Sequence, residues 1–559
     1  DLYVSPIGSA FMNGSYEEQW KEVDKALDEG LPKTALELVE VIYTRAKREG
    51  NQSNTIKAIS YRVALRAVTN EEDEVVLIRD LEKEIAGAEQ PVRAILTSML
   101  ADVYWGYYQM NRWQINERSQ VEDAPEDDFR TWDASTFFDT TATLYLQALE
   151  PAEMLKAASV TSYKDILHHE EIGGEYRPTM YDILAHRALA FLQNDEADLP
   201  RPQQDFEVTD LRAVVPLGHF LRMEFTSPNP DNPKYRALLL YQELLRFHAE
   251  DNNDEALLDL DLLRLDFGRE ITWNEEKDTT YFESVTSLYN AYSSTEMSAQ
   301  AGYMLAKYMH GEGDYVDALK RCRTEIERFP QSRGAVNCRA LEAQILSKEL
   351  QLNVEQSQLP DAPFLISAGF RNVGRVHLRI VRMPADEIST PSRHYDNTRE
   401  RMADYLSRER VSAWSQNLPV AKDYKSHRVD LRGPELPTGT YMLFMSHDEN
   451  FALDDNAVAW VWLRVTRLSM LSGDDDDGDK LFWVTDAENG KPLKDVKVDV
   501  FTQRWNSGNY KYERVRQGSM RTDANGQFEL KAGRHRDGVF FRLSLGGDTL
   551  AIGQSFYAW

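Results

Sequence analysis

Near Gln358 the hydrophobic pattern of this chain changes period, from long stretches with apolar residues at helical spacing to short alternating runs punctuated by Gly and Pro. The switch separates a helical half from a β half. It restricts the fold to a multidomain chain in which an all-α helical-repeat solenoid precedes all-β sandwiches. At 559 residues the chain exceeds what one core serves, and 42% apolar with 28% charged residues is ordinary globular composition. About three to five domains are expected.

In the helical half, Trp20, Val23 and Leu27 recur at helical spacing, Gly30 stops the run, and Pro32 stands where a first helical turn tolerates it. The next helix sets Ala35, Leu38, Val39, Ile42, Tyr43 and Ala46 on one face; after a break at 51–54, Ile56, Ile59, Tyr61, Val63 and Leu65 begin a third. Leu305, Ala306, Gly313, Tyr315, Ala318 and Pro330 have the spacing of a tetratricopeptide repeat, with small residues where two helices approach. Asn253, Ala256, Leu260 and Leu263 hint at a degenerate copy upstream. Each helix pair buries its apolar stripe against a neighbouring pair, so a stacked array with a concave docking face is expected. Prolines at 200, 202, 216, 228, 230 and 233 mark a linker or an irregular crossing segment. Two aromatic clusters, Tyr104, Trp105, Tyr107, Tyr108 and Trp113, then Trp132, Phe137, Phe138 and Tyr145, offer either a stacking platform or groove filling; helical spacing favours packing.

In the β half, the stretch 364–383 alternates as a half-buried strand requires, with Val376, Leu378, Ile380 and Met383 opposite His377, Arg379 and Arg382. A charged helical insertion is expected at 389–409. Strand character returns at 428–431, in the turn and strand of Leu436-Pro437-Thr438-Gly439-Thr440-Tyr441, and at 457–465. These short strands suggest an immunoglobulin-like sandwich. Beyond an acidic connector, a second module is expected to begin at Leu481, with a turn at Gly490-Lys491-Pro492-Leu493, Val496, Val498 and Val500 facing one core, and a hairpin at Asp523-Ala524-Asn525-Gly526. Trp505 and the Tyr510/Tyr512 pair are expected to pack across strands. The domain plan is an N-terminal arm at 1–15, helical repeats at 16–199, the Pro-rich segment at 200–232, a tetratricopeptide-like region at 233–357, a sandwich with a helical insertion at 358–472, and a second sandwich at 473–559.

Charge excludes several function classes. The 64 Lys and Arg are outnumbered by 92 Asp and Glu, a formal charge of −28, with no basic run to offset it. Nucleic acid and anionic membrane are poor partners for such a surface. The apolar run at 457–463 falls far short of the ~20 residues a bilayer-spanning helix requires, so no transmembrane segment is expected in this chain. Cys322 and Cys338 are too few for a disulfide framework or a zinc site, and stand either as two buried thiols or as one bridge. Gly473 and Gly478 have phosphate-loop spacing, but Asp479 occupies the lysine position. Read as a calcium loop, the same stretch ends on Val484 instead of a bidentate Glu. His168-His169-Glu170-Glu171 has ligand types at adjacent positions, which on a helix point about 100° apart. No Gly-x-Ser-x-Gly elbow occurs. No catalytic, cofactor-binding or metal-ligating residue is assigned, no cofactor is expected, and an unrecognised hydrolase is disfavoured.

The order of Gly30-Leu31-Pro32-Lys33-Thr34-Ala35-Leu36, Arg177-Pro178-Thr179-Met180-Tyr181-Asp182, Leu436-Pro437-Thr438-Gly439-Thr440-Tyr441 and the strand-turn-strand at 490–500 resembles the N-terminal portion of large bacterial alpha-2-macroglobulin-family proteins. The resemblance covers most of the chain. It implies a helical region followed by macroglobulin-like sandwiches, a periplasmic, outer-membrane-associated or extracellular setting, and service in protease trapping or envelope defence. Many members capture the protease through a Cys-Gly-Glu-Gln thioester; here Cys322 precedes Arg323 and Cys338 precedes Arg339, so the covalent step is not expected in this stretch. The chain is expected to be an amino-terminal piece of a longer protein. A non-enzymatic scaffold is therefore the leading expectation. The alternative is a structural adaptor that docks an outer-membrane or envelope complex through its repeat surface. A protein partner, a protease or such a complex, is expected either way.

Overall fold

The computed structural model describes residue 11 and residues 14–69, 74–117, 128–163, 166, 176–194, 205–385, 398–474, 479–506, 511–531 and 535–558. Residues 168–171, 200, 202, 389–397, 478 and 510, which carry some of the features above, lie outside that set. The chain divides into two compact units, one of residues 1–308 with 321–339 and one of residues 309–320 with 340–559.

The helical half begins with α1 (Tyr16–Asp28), α2 (Pro32–Glu49), α3 (Gln52–Thr69), α4 (Glu74–Gly87), α5 (Val92–Ile115), α6 (Ala134–Gln147), α7 (Ala152–Ala157) and α8 (Met180–Leu192). It continues through α9 (Leu217–Phe220), α10 (Pro233–Asp251), α11 (Asp254–Ile271), α12 (Lys277–Ala291), α13 (Ser298–Gly311), α14 (Tyr315–Arg328) and α15 (Arg333–Leu346). Local signals set the ends. The Ser15 hydroxyl accepts from the Glu18 amide at 3.2 Å while the Ser15 amide donates to the Glu18 carboxylate at 2.8 Å, closing a capping box ahead of α1. Pro32 opens α2 and Gly50, at φ +67°, closes it. Val23, Ala35, Val39 and Ile42 are fully buried between the first three helices.

The aromatic clusters fill helix grooves. Trp105 stacks on Tyr108 at 5.2 Å between ring centroids and meets Phe191 edge-on at 5.0 Å; Tyr108 lies 4.9 Å from Phe138. Trp113 is the exception, 78% exposed. The described part of the Pro-rich segment, 205–232, is irregular apart from α9 and is built into the helical unit instead of hanging as a linker. Ala213, Val214 and Phe220 are fully buried. Side chains satisfy its carbonyls: Arg264 Nη1 donates to Ala213 and Val215 at 3.0 and 2.9 Å, Gln242 Nε2 to Phe220 and Met223 at 2.9 and 2.8 Å, and Ser284 Oγ to Val214 at 2.7 Å. Close helix approach near the second repeat-like unit depends on glycines the spacing did not single out. A Cβ on Gly302 would stand 2.4 Å from Glu325 Cδ, and one on Gly334 2.2 Å from the Ala299 carbonyl carbon.

The β half contains two sandwiches. The first comprises β1 (Glu349–Val354), β2 (Ser357–Gln358), β3 (Leu365–Arg371), β4 (Arg375–Met383), β5 (Arg410–Asn417), β6 (His427–Arg432), β7 (Gly439–Ser446) and β8 (Val458–Val465), with α16 (Thr398–Ser407) inserted between β4 and β5. Its sheets run β1-β3-β6 and β2-β8-β7-β4-β5. Ile366, Ala368 and Phe370 from one sheet pack with Val376, Ile380, Leu443 and Leu463 from the other. The alternating stretch 364–383 is therefore two strands, and the chain crosses between the sheets at Asn372, whose φ is +55°. Alternation continues through the crossing because both strands face one core. Tyr441 reaches back to donate its hydroxyl to the Pro437 carbonyl at 2.9 Å, pinning the turn ahead of β7.

The second sandwich comprises β9 (Leu468–Asp474), β10 (Lys480–Asp486), β11 (Lys497–Asn506), β12 (Lys511–Arg521), β13 (Gln527–Leu530), β14 (His535–Leu545), β15 (Asp548–Ala551) and β16 (Phe556–Ala558). Its sheets are β13-β10-β9 and β12-β11-β14-β15, with β16 also paired to β14. Phe482, Val484, Val498, Val500, Phe541 and Leu543 form its core. Two expectations are corrected. The module starts at Leu468, ahead of the expected Leu481: β9 pairs antiparallel with β10. The Asp523–Gly526 turn forms, with the Gly526 amide donating to the Asp523 carbonyl at 3.0 Å, but it joins strands of different sheets and is no hairpin; β12 pairs with β11 and β13 with β10. Gly526, at φ +70°, is required, since a Cβ would come within 2.4 Å of the Val484 carbonyl oxygen. Trp505 stands opposite Tyr512 across β11 and β12.

Only Thr466 and Arg467 separate β8 from β9. The buried Thr466 hydroxyl donates to Asp548 Oδ2 at 3.0 Å and the Arg467 amide donates to the same oxygen at 2.7 Å. One carboxylate from β15 thus holds the crossing between the sandwiches.

Candidate binding site

The ionisable groups that burial gathers are bonded to one another. Thr179 caps α8: its hydroxyl donates to Asp182 Oδ2 at 2.8 Å and its amide donates to the same oxygen at 2.9 Å. The other oxygen of Asp182 faces His248 Nε2 at 2.8 Å, and His248 Nδ1 faces Asp251 Oδ2 at 3.0 Å. His248 and Asp182 are both essentially buried. Burial pulls the His248 pKa down, but the two carboxylates outweigh it and the net direction is up from the ordinary value. With a carboxylate on each ring nitrogen and no solvent access, this imidazole has no free lone pair to act as a general base. One turn along α8, burial pushes His186 down to about 3, with the Arg177 charge adding to the effect. Thr179 and Asp182 carry the only signal readable in advance, the Thr-x-x-Asp spacing of a cap. His248 gave none.

Arg264 and Asp261, one turn apart on α11, are fully buried. Arg264 Nε donates to Asp261 Oδ1 at 2.8 Å and the guanidinium lies 4.5 Å from the Phe220 ring centroid. In the second sandwich, buried Asp499 accepts from Lys497 at 3.1 Å, from Arg516 at 3.0 and 2.6 Å, and from Arg542 at 3.1 Å. Burial alone would raise its pKa, yet these three cations hold it down at about 2. Cys322 and Cys338 are both buried. No group of three His, Cys, Asp or Glu among the described residues has the arrangement to hold a metal ion. In the acidic stretch, Asp474 pairs with Lys480, and Asp479 with Lys531 at 2.7 Å. These clusters are bonded internally and hold backbone or strands in place, although Asp261 Oδ2 is buried without a hydrogen-bond partner among the described residues.

The surface features that are not self-satisfied are clefts. One of about 170 Å³ lies in the helical unit where the segment 205–208 runs beside the end of α11. The Trp273 amide donates to the Val208 carbonyl at 2.8 Å, and Val208 forms a parallel bridge with Thr272, which fixes the two walls. Phe206, Phe267 and Ile271 supply apolar lining, while Asp205, Glu207, Glu270 and Lys234 supply charge. Trp273 forms one lip at 78% exposure. A wider depression of about 590 Å³ in the first sandwich crosses Gln351, Gly369 and Arg428, with Lys348 and Glu349 giving it mixed charge. Neither is marked by any residue pattern in the chain; the exposure of Trp273 depends on where α11 ends against 205–208, which periodicity does not reveal.

Among the described residues, no helix is long and apolar enough to cross a membrane. No family model matches the sequence, and no curated protein matches it. Among solved structures, native alpha-2-macroglobulin from Escherichia coli spanning domains NIE-MG1 is similar over 37% of this chain and 97% of its own, at 13% identity and a TM-score of 0.26. The native conformation of E. coli alpha-2-macroglobulin aligns over 37% of this chain at 14% identity and a TM-score of 0.22, and the chain spans only 12% of its length. A tetra-tandem repeat in the extending region of a large adhesion protein aligns over 38% of this chain and 50% of its own, at 13% identity and a TM-score of 0.14.

Proposed function

We propose that this chain is a non-catalytic scaffold and binding region of a bacterial alpha-2-macroglobulin-like protein, in which a tetratricopeptide-like helical array precedes two macroglobulin-like sandwiches. The observation that carries this reading is that the buried ionisable groups His248, Asp261 and Asp499 each bond to structural partners instead of converging on a cleft. Perturbed side chains spent on holding helices and strands leave surface, not chemistry, as the means of action.

In this reading the whole protein works in the periplasm or at the outer membrane and takes part in protease trapping, with this region orienting the modules that engage the protease. The test uses the complete natural protein with a broad-specificity protease. One discrete cleavage accompanied by a mobility shift and retained protease supports trapping; uniform degradation without capture overturns it. The adaptor reading draws on a different observation, the unsatisfied cleft at Trp273. It is favoured if the protein co-purifies with a stoichiometric envelope partner in the absence of any protease.

A further inference from the structure

The cleft at the end of α11 has features that the neighbouring charged clusters lack. The Trp273 indole is exposed, and its ring makes no hydrogen bond or ring contact among the described residues. Of its three carboxylates, Asp205 accepts from the Asn232 side-chain amide at 2.8 Å and from the Phe206 amide at 2.8 Å. Glu207 and Glu270 are exposed and have no ion pair or hydrogen bond among the described residues. Among the described lining residues Lys234 is the one cation, and their formal charge is −2. Nearby Arg269 does not compensate it, being held by Asp278 at 2.6 Å and packed over Tyr281. The C-terminal end of α11 adds to the negative field, although Lys277 donates to the Thr272 carbonyl.

We propose that this cleft receives a single arginine side chain presented by a partner polypeptide. At about 170 Å³ it falls below the ~300–1,000 Å³ usual for small-molecule sites, so it suits one long side chain better than a whole metabolite. A guanidinium lies flat on an indole and forks its donors toward carboxylates, and its methylene stem matches an apolar wall such as Phe206 and Ile271. Lysine offers a more strongly hydrated point charge and gains less from the ring. The inference does not depend on protease trapping.

The test labels the full chain with 5-fluorotryptophan, assigns the Trp273 fluorine resonance by its loss in Trp273→Phe, and titrates the capped peptide Gly-Gly-Arg-Gly-Gly. The expected result is a saturable shift of the Trp273 resonance that the citrulline peptide does not produce and the lysine peptide produces only weakly. Glu207→Gln with Glu270→Gln, both exposed, should leave the fold intact by circular dichroism and weaken the arginine peptide at least about tenfold. Glu17→Gln with Glu22→Gln, equal in charge change but remote, should leave it unaltered. The proposal is overturned by an unmoved Trp273 resonance, by equal response to the citrulline peptide, or by equal weakening in both double variants, which would mean that the overall charge of −28 alone attracts the peptide.

Discussion

Single residues in this chain carry pH-dependent stability of opposite sign. His248 has a folded pKa above its ordinary 6.5, so its contribution is complete below pH 6.5 and fades as pH rises through the folded value. The stability gap between wild type and His248→Gln is therefore expected to be widest below pH 6.5 and to narrow on the alkaline side, as read by urea midpoints across pH. His186 works the other way: with a folded pKa of about 3, it penalises the native state progressively from pH 6.5 downward. Replacing it by Leu should flatten the acid limb. Asp499, held down at about 2, stabilises above the ordinary carboxylate range and loses that contribution as pH falls through about 2. Asp499→Asn should accordingly destabilise the second sandwich most at pH values above the ordinary carboxylate range, with the gap to wild type, read by near-ultraviolet dichroism in urea, closing as pH falls toward about 2. Arg264→Met strands the Asp261 charge in the interior and is expected to cost about 3–5 kcal/mol by chemical denaturation. Adding Asp261→Asn should recover part of it.

Elements start and stop where local chemistry says they should, and that level was readable. Gly30, Pro32 and Gly50 bound α1 and α2, and Val496, Val498 and Val500 point into one core. Thr179→Ala removes the cap of α8 and is expected to lower stability by about 0.5–2 kcal/mol, with the lower midpoint in urea as the readout. Gly334→Ala forces a Cβ against the Ala299 backbone and is expected to cost about 1–3 kcal/mol, since neither backbone can yield without moving its helix. What the sequence did not convey is which sheet a strand joins. Alternation looks the same whether β3 and β4 pair or face each other across a core, and a Gly526 turn serves a sheet crossing as well as a hairpin. The irregular segment 205–232 was visible as proline-rich, but its burial is decided by Arg264, Gln242 and Ser284, far along the chain. The Trp273 cleft was hidden for the same reason.

At the scale of the whole molecule, the helical unit and the two sandwiches each close their own apolar core. Thermal unfolding should therefore resolve more than one transition by calorimetry. Phe482→Ala, which removes a ring stacked on Phe528 at 4.8 Å, should lower one by about 3–5 kcal/mol and leave unmoved the transition that Arg264→Met shifts. The two-residue crossing at Thr466 and Arg467 has a further consequence. With no spare chain between the sandwiches and both crossing residues bonded to Asp548, the joint is clasped instead of hanging as a bead string does. A pull on one sandwich therefore loads the Asp548 clasp before it reaches the other, and Asp548→Ala should loosen the joint, read as faster proteolysis at 465–468.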